Sequence, residues 1–166
     1  MNKLLSVDLD LCDGCRTCEI VCSLKHYSEA NPARALVKLL RYEKMGEYII
    51  TIPIFCQQCE TPICKAVCPV DAIAQDENTG AYIVNEKKCL GCRMCVAACP
   101  LGAIEVDPVN KVAAKCDLCG GDPTCVKFCS QEAIRWSTKD ELGWENRRKA
   151  ADKFSDRMKI VVKGEK

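Results

Sequence analysis

Sixteen cysteines in a chain of 166 residues constrain this protein more than any other feature. They fall into four groups of four with none left over. The groups are Cys12, Cys15, Cys18 and Cys22; Cys56, Cys59, Cys64 and Cys68; Cys89, Cys92, Cys95 and Cys99; and Cys116, Cys119, Cys125 and Cys129. A cysteine content of about one residue in ten indicates either a disulfide scaffold or a metal protein.

The N-terminus bears on the choice between disulfides and metal. It reaches Asp8 after only a handful of apolar residues, which is too few for the apolar region of a secretory signal. We therefore expect a cytoplasmic protein whose thiols stay reduced, and this disfavours disulfides. Export together with a partner that carries the signal stays open as an alternative.

The spacing within each group bears on the choice of metal. Structural zinc sites usually bring two C-x2-C pairs together across a long loop. Here each group spans at most fourteen residues and the group occurs four times, which favours iron–sulfur clusters over zinc. Three thiolates on one tight loop can surround a cluster, and the loop's backbone N–H groups can point at its sulfides. The fourth cysteine lies beyond a helical turn, so it faces away and is available to a neighbouring cluster.

The segments around the cysteines also repeat. In three groups the last cysteine is followed, after three intervening residues, by the dipeptide Ala-Ile. These segments are residues 68–73, 99–104 and 129–134. Apolar stretches at residues 7–11, 49–54, 82–84 and 112–114 predict strands that lead into the cysteine loops. The composition of residues 76–80 predicts a turn between two short strands. Each unit is a strand, a cysteine loop, a short helix, a turn and a strand, so we expect an α+β fold.

Two segments lack cysteines. Residues 31–49 form an insertion in which apolar residues alternate on both sides of residues 43–47, and this predicts a hairpin. In residues 137–166, Thr138 and Glu141 fit a capping box. Apolar residues then recur at helical spacing, at Trp144, Ala151, Phe154, Met158 and Val161. We expect this amphipathic tail to pack on its own domain, or to dock on a catalytic subunit or on a second copy of the chain.

Charge and hydropathy exclude two classes of partner. The formal net charge is only +1, whereas binding a phosphate backbone or an anionic membrane surface requires a strong positive field. No apolar run is long enough to span a bilayer. We therefore expect no nucleic acid and no direct membrane insertion. No dinucleotide fingerprint or phosphate loop is present either.

Three phrases of the sequence carry a family resemblance, at residues 56–64, 91–100 and 115–123. The chain resembles the four-cluster ferredoxin-type electron-transfer subunits of molybdenum and tungsten oxidoreductases, hydrogenases and carbon monoxide dehydrogenases. The C-x2-C-x2-C-x3-C run of the first and third groups is the one found in bacterial ferredoxins. The resemblance covers residues 1–136 and implies two interleaved ferredoxin-like modules. The outer module comprises residues 1–30 with 105–136, and the inner one comprises residues 50–104.

The resemblance also implies a nested ligation, in which the fourth cysteine of each group binds the cluster of another group. Four [4Fe–4S] clusters are implied, because all sixteen cysteines are present. The implied ligand sets are Cys12, Cys15, Cys18 and Cys129; Cys56, Cys59, Cys64 and Cys99; Cys89, Cys92, Cys95 and Cys68; and Cys116, Cys119, Cys125 and Cys22. Below, the four sites are numbered in this order.

The function implied by the resemblance is electron transfer without substrate chemistry. The expected partner is a catalytic oxidoreductase subunit, in the first place a tungsten- or molybdenum-pterin enzyme that acts on aldehydes. Formate dehydrogenase, hydrogenase and carbon monoxide dehydrogenase are the alternatives, and a flavin subunit or a soluble ferredoxin is expected at the other end of the relay. An iron–sulfur sensor or a cluster-assembly scaffold also stays open. The single histidine, His26, is expected at the surface or beside a cluster ligand rather than as a base.

Overall fold

The strands of this protein pair in an order that matches the four cysteine groups: three pairs lie between successive groups, and the fourth joins the strands before the first group and after the last. The computed structural model describes residues 3–45 and 48–163, in which eight short strands form four antiparallel two-stranded sheets. The strands are β1 (Lys3–Val7), β2 (Lys38–Lys44), β3 (Tyr48–Ile54), β4 (Ile73–Gln75), β5 (Tyr82–Val84), β6 (Ile104–Val106), β7 (Ala113–Lys115) and β8 (Ile134–Thr138). The helices are α1 (Thr17–Tyr27), α2 (Ile63–Ala66), α3 (Met94–Ala98), α4 (Thr124–Lys127) and α5 (Lys139–Lys163).

The pairing brings the two ends of the cysteine-bearing region together. β1 pairs with β8, and α1 packs against α4. Between them, β4 pairs with β5, β6 pairs with β7, and α2 packs against α3. The α+β fold of ferredoxin-like units is therefore confirmed. The exact limits of the two modules stay a prediction.

The first strand differs from the prediction. It was expected at residues 7–11, but β1 ends at Val7, and Asp8 begins a turn. The Asp8 carboxylate accepts a hydrogen bond from the Asp10 N–H at 3.3 Å. The backbone carbonyl of Asp8 accepts one from the Leu11 N–H, also at 3.3 Å. Aspartate favours such turns because its side chain competes with the strand ladder for backbone N–H groups.

The predicted inserted hairpin is formed by β2 and β3. Leu40 pairs with Ile52 and Tyr42 with Ile50 along an antiparallel ladder. The second strand continues to Ile54, beyond the predicted end of the insertion. Two residues at the tip of the hairpin, 46 and 47, lie outside the described residues. The hairpin approaches the first cysteine loop, because the Thr51 hydroxyl donates to the Cys12 carbonyl at 3.2 Å.

A buried ion pair ties the segment after α1 to the turn between β6 and β7. Arg34 donates two hydrogen bonds to the Asp107 carboxylate, at 2.9 and 2.7 Å, and its guanidinium lies 3.9 Å from the centre of the Tyr27 ring. The hydrogen bond from Arg34 holds the pKa of Asp107 below its usual range. Such a fork of two parallel bonds is geometrically specific, so it fixes the relative position of the two segments.

Five cysteines belong to two clusters of buried residues in the interior. One buried cluster contains Leu5, Val37, Phe55, Leu118 and Ile134 together with Cys18, Cys22, Cys116 and Cys125. A second cluster contains Ile73, Ile104 and Ala113 with Cys95. Aromatic residues make up only 5% of the chain, so few large side chains are available to fill a core.

The C-terminal tail forms the predicted helix, α5. Its capping box is confirmed: the Glu141 N–H donates to the Thr138 hydroxyl at 3.2 Å, and the Thr138 N–H donates to the Glu141 carboxylate at 2.8 Å. The start of α5 packs on β8 and β1. Trp144 and Phe154 are 68% and 69% exposed, and the side chains of Met158 and Val161 lie outside the described residues. Within the described residues, no helix has the length and apolar character needed to cross a bilayer.

Candidate metal centre

Three cavities each bring together three cysteines of one loop and one cysteine of a distant segment. The sets that line them are Cys12, Cys15 and Cys18 with Cys129; Cys56, Cys59 and Cys64 with Cys99; and Cys89, Cys92 and Cys95 with Cys68. These are the first three ligand sets expected from the sequence. The ligation itself stays a prediction.

The remaining four cysteines lie around the first buried core. Cys22, Cys116 and Cys125 are buried in it. Cys18 and Cys22 lie one turn apart on α1, and Cys18 lines the cavity of the first site while Cys22 belongs to the fourth set. The expected ligand sets would therefore place α1 between the first and fourth sites.

Left-handed backbone bends curl the loops around these cavities. In the first loop, Gly14 and Arg16 have positive φ angles of 75° and 63°, and in the third loop the equivalent Gly91 and Arg93 have 64° and 66°. Gly91 also allows a close approach, since a Cβ atom there would lie 2.3 Å from the Lys111 carbonyl oxygen. Only glycine fits at position 91, because the space excludes a Cβ atom and the φ angle in addition disfavours a side chain.

We expect Gly91→Ala to lower occupancy of the third site. The substitution forces either the loop or the Lys111 carbonyl to move, and the backbone strain adds roughly 1–2 kcal/mol. Gly102→Ala is the matched control, because Gly102 has a similar φ of 61° but nothing within 4 Å of an added Cβ atom. Iron per chain after anaerobic purification measures the effect. Equal iron contents in the two variants would contradict it.

Hydrogen-bond donors point at several of these sulfur atoms. The backbone N–H groups of Leu36, Ala72 and Ala113 each lie 3.3 Å from a sulfur atom, of Cys22, Cys68 and Cys89 respectively. Hydroxyl groups lie farther away: Thr51 is 3.8 Å from Cys12, and Thr124 is 3.9 Å from Cys119. Donors of this kind stabilise negative charge on sulfur and tune the potential of a bound cluster.

Burial makes the thiolate form of several cysteines costly in the absence of a metal. Burial raises the pKa of Cys18 and of Cys125 to about 12 in each case, and it raises the pKa of Cys116 as well. A desolvated thiol keeps its proton because the charged form loses hydration. Bound iron would replace that proton and supply compensating positive charge, so these cysteines are suited to hold a metal rather than to be isolated thiolates.

His26 lies beside Cys119, a predicted cluster ligand. From the sequence, His26 was expected either at the surface or beside such a ligand. Its Nε2 atom is 3.6 Å from the Cys119 sulfur and 3.4 Å from the Asp117 carboxylate. The hydrogen bond with Cys119 raises the pKa of His26 to about 10. Burial acts to raise the pKa of Cys119, but its hydrogen bonds with His26 and Thr124 lower that pKa overall. His26 thus lies beside Cys119, a predicted ligand of the fourth site, and is not an isolated surface residue.

The donor set fits iron–sulfur clusters. All sixteen cysteines are free thiols, and soft thiolates in groups of four are the usual ligands of [4Fe–4S] clusters. Two residues near the sites were missed by the sequence analysis: Lys115 and Gln58, which lie between the second and fourth cysteine loops. Only their position directly beside cysteines could have drawn attention to them.

Comparison with known proteins agrees with this chemistry. Residues 47–139 match the family described as "4Fe-4S dicluster domain". The polyferredoxin-like subunit of the aliphatic sulfonate oxidoreductase of Pyrococcus furiosus is 42% identical over 123 residues, which cover 74% of this chain and 68% of that protein. The electron transport protein HydN of Escherichia coli is 33% identical, covering 93% of this chain and 100% of that protein.

A third relative is formate hydrogenlyase subunit 2 of Escherichia coli, which is 30% identical and covers 90% of this chain and 88% of that protein. The family match includes the second, third and fourth cysteine groups, and the first group lies before it. The chain belongs to the 4Fe-4S dicluster domain family and is an iron–sulfur electron-transfer protein.

Proposed function

We propose that this chain relays single electrons through four [4Fe–4S] clusters within an oxidoreductase complex. The proposed ligand sets are the nested ones given above, with Cys129, Cys99, Cys68 and Cys22 as the fourth ligands of the first to fourth sites. The observation that carries the proposal is that three cavities are each lined by three cysteines of one loop and one of another group. When bound, each cluster accepts and releases one electron. The polypeptide holds the ligands and supplies donors to their sulfur atoms.

Metal analysis tests the number of clusters. We expect about sixteen iron and sixteen acid-labile sulfide per chain, four of each for every cluster. About eight of each would leave only two clusters and would overturn the four-cluster proposal. The sensor and scaffold alternatives are tested on the same sample, because a relay must keep its iron through repeated reduction and reoxidation.

The proposed partner is a catalytic oxidoreductase subunit, in the first place a tungsten- or molybdenum-pterin enzyme acting on aldehydes. Formate dehydrogenase, hydrogenase and carbon monoxide dehydrogenase are the alternatives, and a flavin subunit or a soluble ferredoxin is proposed at the other end. Support comes from the relatives, since two are named as subunits of an oxidoreductase and of a formate hydrogenlyase. We place the chain in a reducing compartment such as the cytoplasm, because its thiols must remain available to iron. Isolation of the native complex and identification of its other chains tests the partner.

Helix α5 is the proposed docking element. Ion pairs of Lys139 with Glu60 and of Lys149 with Asp8 hold its first part on the cysteine-bearing region. Beyond Lys149, Phe154 is 69% exposed, so at least one apolar residue of this part is not covered by the chain itself. A helix face of this kind suits the groove of a partner subunit or a second copy of this chain.

We expect deletion of residues 150–166 to leave the clusters in place and to break the complex. The deletion removes no cysteine and neither of the two ion pairs, so iron per chain should stay unchanged. Size-exclusion chromatography of the tagged chain with its co-purifying partners measures the second effect. An intact complex with the shortened chain would show that docking does not depend on the tail.

A further inference from the structure

The second and fourth sites share a buried lysine. Lys115 is the last residue of β7 and directly precedes Cys116, and only 5% of it is exposed. Its ammonium group donates to the backbone carbonyls of Tyr82 and Cys116, the latter at 3.2 Å, and to the Gln58 side-chain oxygen at 3.4 Å. Three acceptors match the three N–H donors of an ammonium group, so the charge is held in one place.

Gln58 completes this arrangement from the second cysteine loop, where it lies directly before Cys59. A positive φ of 48° turns the backbone at Gln58. The side-chain amide donates to the Cys116 carbonyl at 2.8 Å, and its oxygen accepts from the Tyr82 N–H at 2.9 Å. Gln58 therefore links the second loop to a predicted ligand of the fourth site and holds the lysine between them.

The charge of Lys115 reaches the second site as well. Lys115 lines the same cavity as Cys56, Cys59, Cys64 and Cys99. Burial raises the pKa of Cys64, and the charge of Lys115 opposes that shift. Among the described residues, Lys115 is the only buried lysine, whereas Lys88, at the equivalent position before Cys89, is exposed.

We propose that Lys115 sets the reduction potentials of the second and fourth sites jointly, so that electrons are favoured at the boundary between the two modules; this rests on the four-cluster relay proposed above. A cluster held by four thiolates becomes more negative when it gains an electron. A fixed cation removed from water stabilises that added charge much more strongly than an exposed one. Since Lys115 borders two predicted sites, removing its charge should disfavour reduction at both and spare the first and third.

The test is a redox titration, followed by electron paramagnetic resonance, of the full chain with its clusters. We expect Lys115→Met to make the reduction equilibrium of two of the four clusters about tenfold less favourable, which is about 59 mV for a one-electron couple. Lys88→Met is the matched control, because it removes the same charge from the same position relative to a cysteine. It should leave all four potentials close to those of the unchanged chain. Lys115→Arg keeps the charge, so its potentials should stay close to those of the unchanged chain.

A second variant covers the case in which Lys115→Met does not bind its clusters. Gln58→Glu places a negative charge beside the ammonium group and should lower the same two potentials while Lys115 is retained. Unchanged potentials in a fully loaded variant, or a shift of all four clusters equal to that of Lys88→Met, would overturn the inference and leave the relay intact. A shortage of iron in the unchanged chain would instead overturn the relay.

Discussion

Removal of iron is expected to unfold the cysteine-bearing region, residues 3–138. Helices α2, α3 and α4 are only four or five residues long, far below the length at which an isolated helix is stable. The sheets have two strands each, and isolated two-stranded hairpins are marginal in water. Neither kind of element can persist on its own, so the clusters must supply what a larger core would otherwise provide.

Metal binding is large enough to decide the stability of this chain. Structural zinc contributes about 10–16 kcal/mol to small domains, and the net stability of a typical domain is about 5–15 kcal/mol. Iron–sulfur binding of similar size would account for most of the free energy of folding here. In the iron-free chain, burial keeps Cys18, Cys116 and Cys125 protonated, so the native arrangement loses the thiolate–iron contacts and gains nothing in return.

Circular dichroism and hydrogen exchange measure this effect after anaerobic treatment with acid and a chelator. We expect loss of a cooperative thermal transition and loss of amide protection in β1 and β8, which depend on each other for pairing. Helix α5 is the internal reference. Its 25 residues start at a capping box and contain no cysteine, so its helical signal should decline less. A sharp transition in the iron-free chain would show that the polypeptide folds without its clusters.

Features that depend on neighbouring residues were predictable from the sequence. The turn at residues 76–80 and the capping box at Thr138 and Glu141 both formed where they were predicted, because each depends on residues no more than five apart. The cysteine groups were recognisable for the same reason, because the cysteines of each group lie close together in the sequence. The early end of β1 was missed because the Asp8 side chain stops the strand, and an apolar count over residues 7–11 does not register a competing hydrogen bond.

Contacts between distant residues were not predictable. Lys115 is a charged residue at the end of a strand and would ordinarily be placed in solvent. It is buried because acceptors 33 and 57 residues away, at Tyr82 and Gln58, meet its ammonium group. Similarly, helical spacing predicted α5, but spacing does not say what covers its apolar residues, and Trp144 is exposed.

Pairs of cysteine substitutions are expected to distinguish nested ligation from local ligation. In the nested arrangement Cys129 completes the first site, and in the local alternative Cys22 would do so. The structure favours Cys129 for this position, since it lines the cavity with Cys12, Cys15 and Cys18. The Gln131 amide also reaches the Asp13 carboxylate in the first loop at 3.4 Å.

The design uses Cys15→Ser as the common background. This substitution should abolish the first cluster and leave about twelve iron per chain. Adding Cys129→Ser should then change nothing further, because both residues serve the same cluster. Adding Cys22→Ser should remove a second cluster and leave about eight iron, because Cys22 serves the fourth site. Each double variant is the control for the other, since both carry two cysteine-to-serine changes.

The opposite pattern would establish local ligation. In that case adding Cys22→Ser to Cys15→Ser would remove no further iron, and adding Cys129→Ser would remove a second cluster. The physical basis for expecting the nested pattern lies in α1. Cys18 and Cys22 are one turn apart on this helix, but Cys18 lines the cavity of the first site and Cys22 is not among the residues that line it. Cys22 lies in the buried cluster that also contains Cys116 and Cys125, and its sulfur accepts a hydrogen bond from the Leu36 N–H at 3.3 Å. We therefore expect Cys22 to serve the fourth site, and loss of iron from that site is the expected signature of its removal.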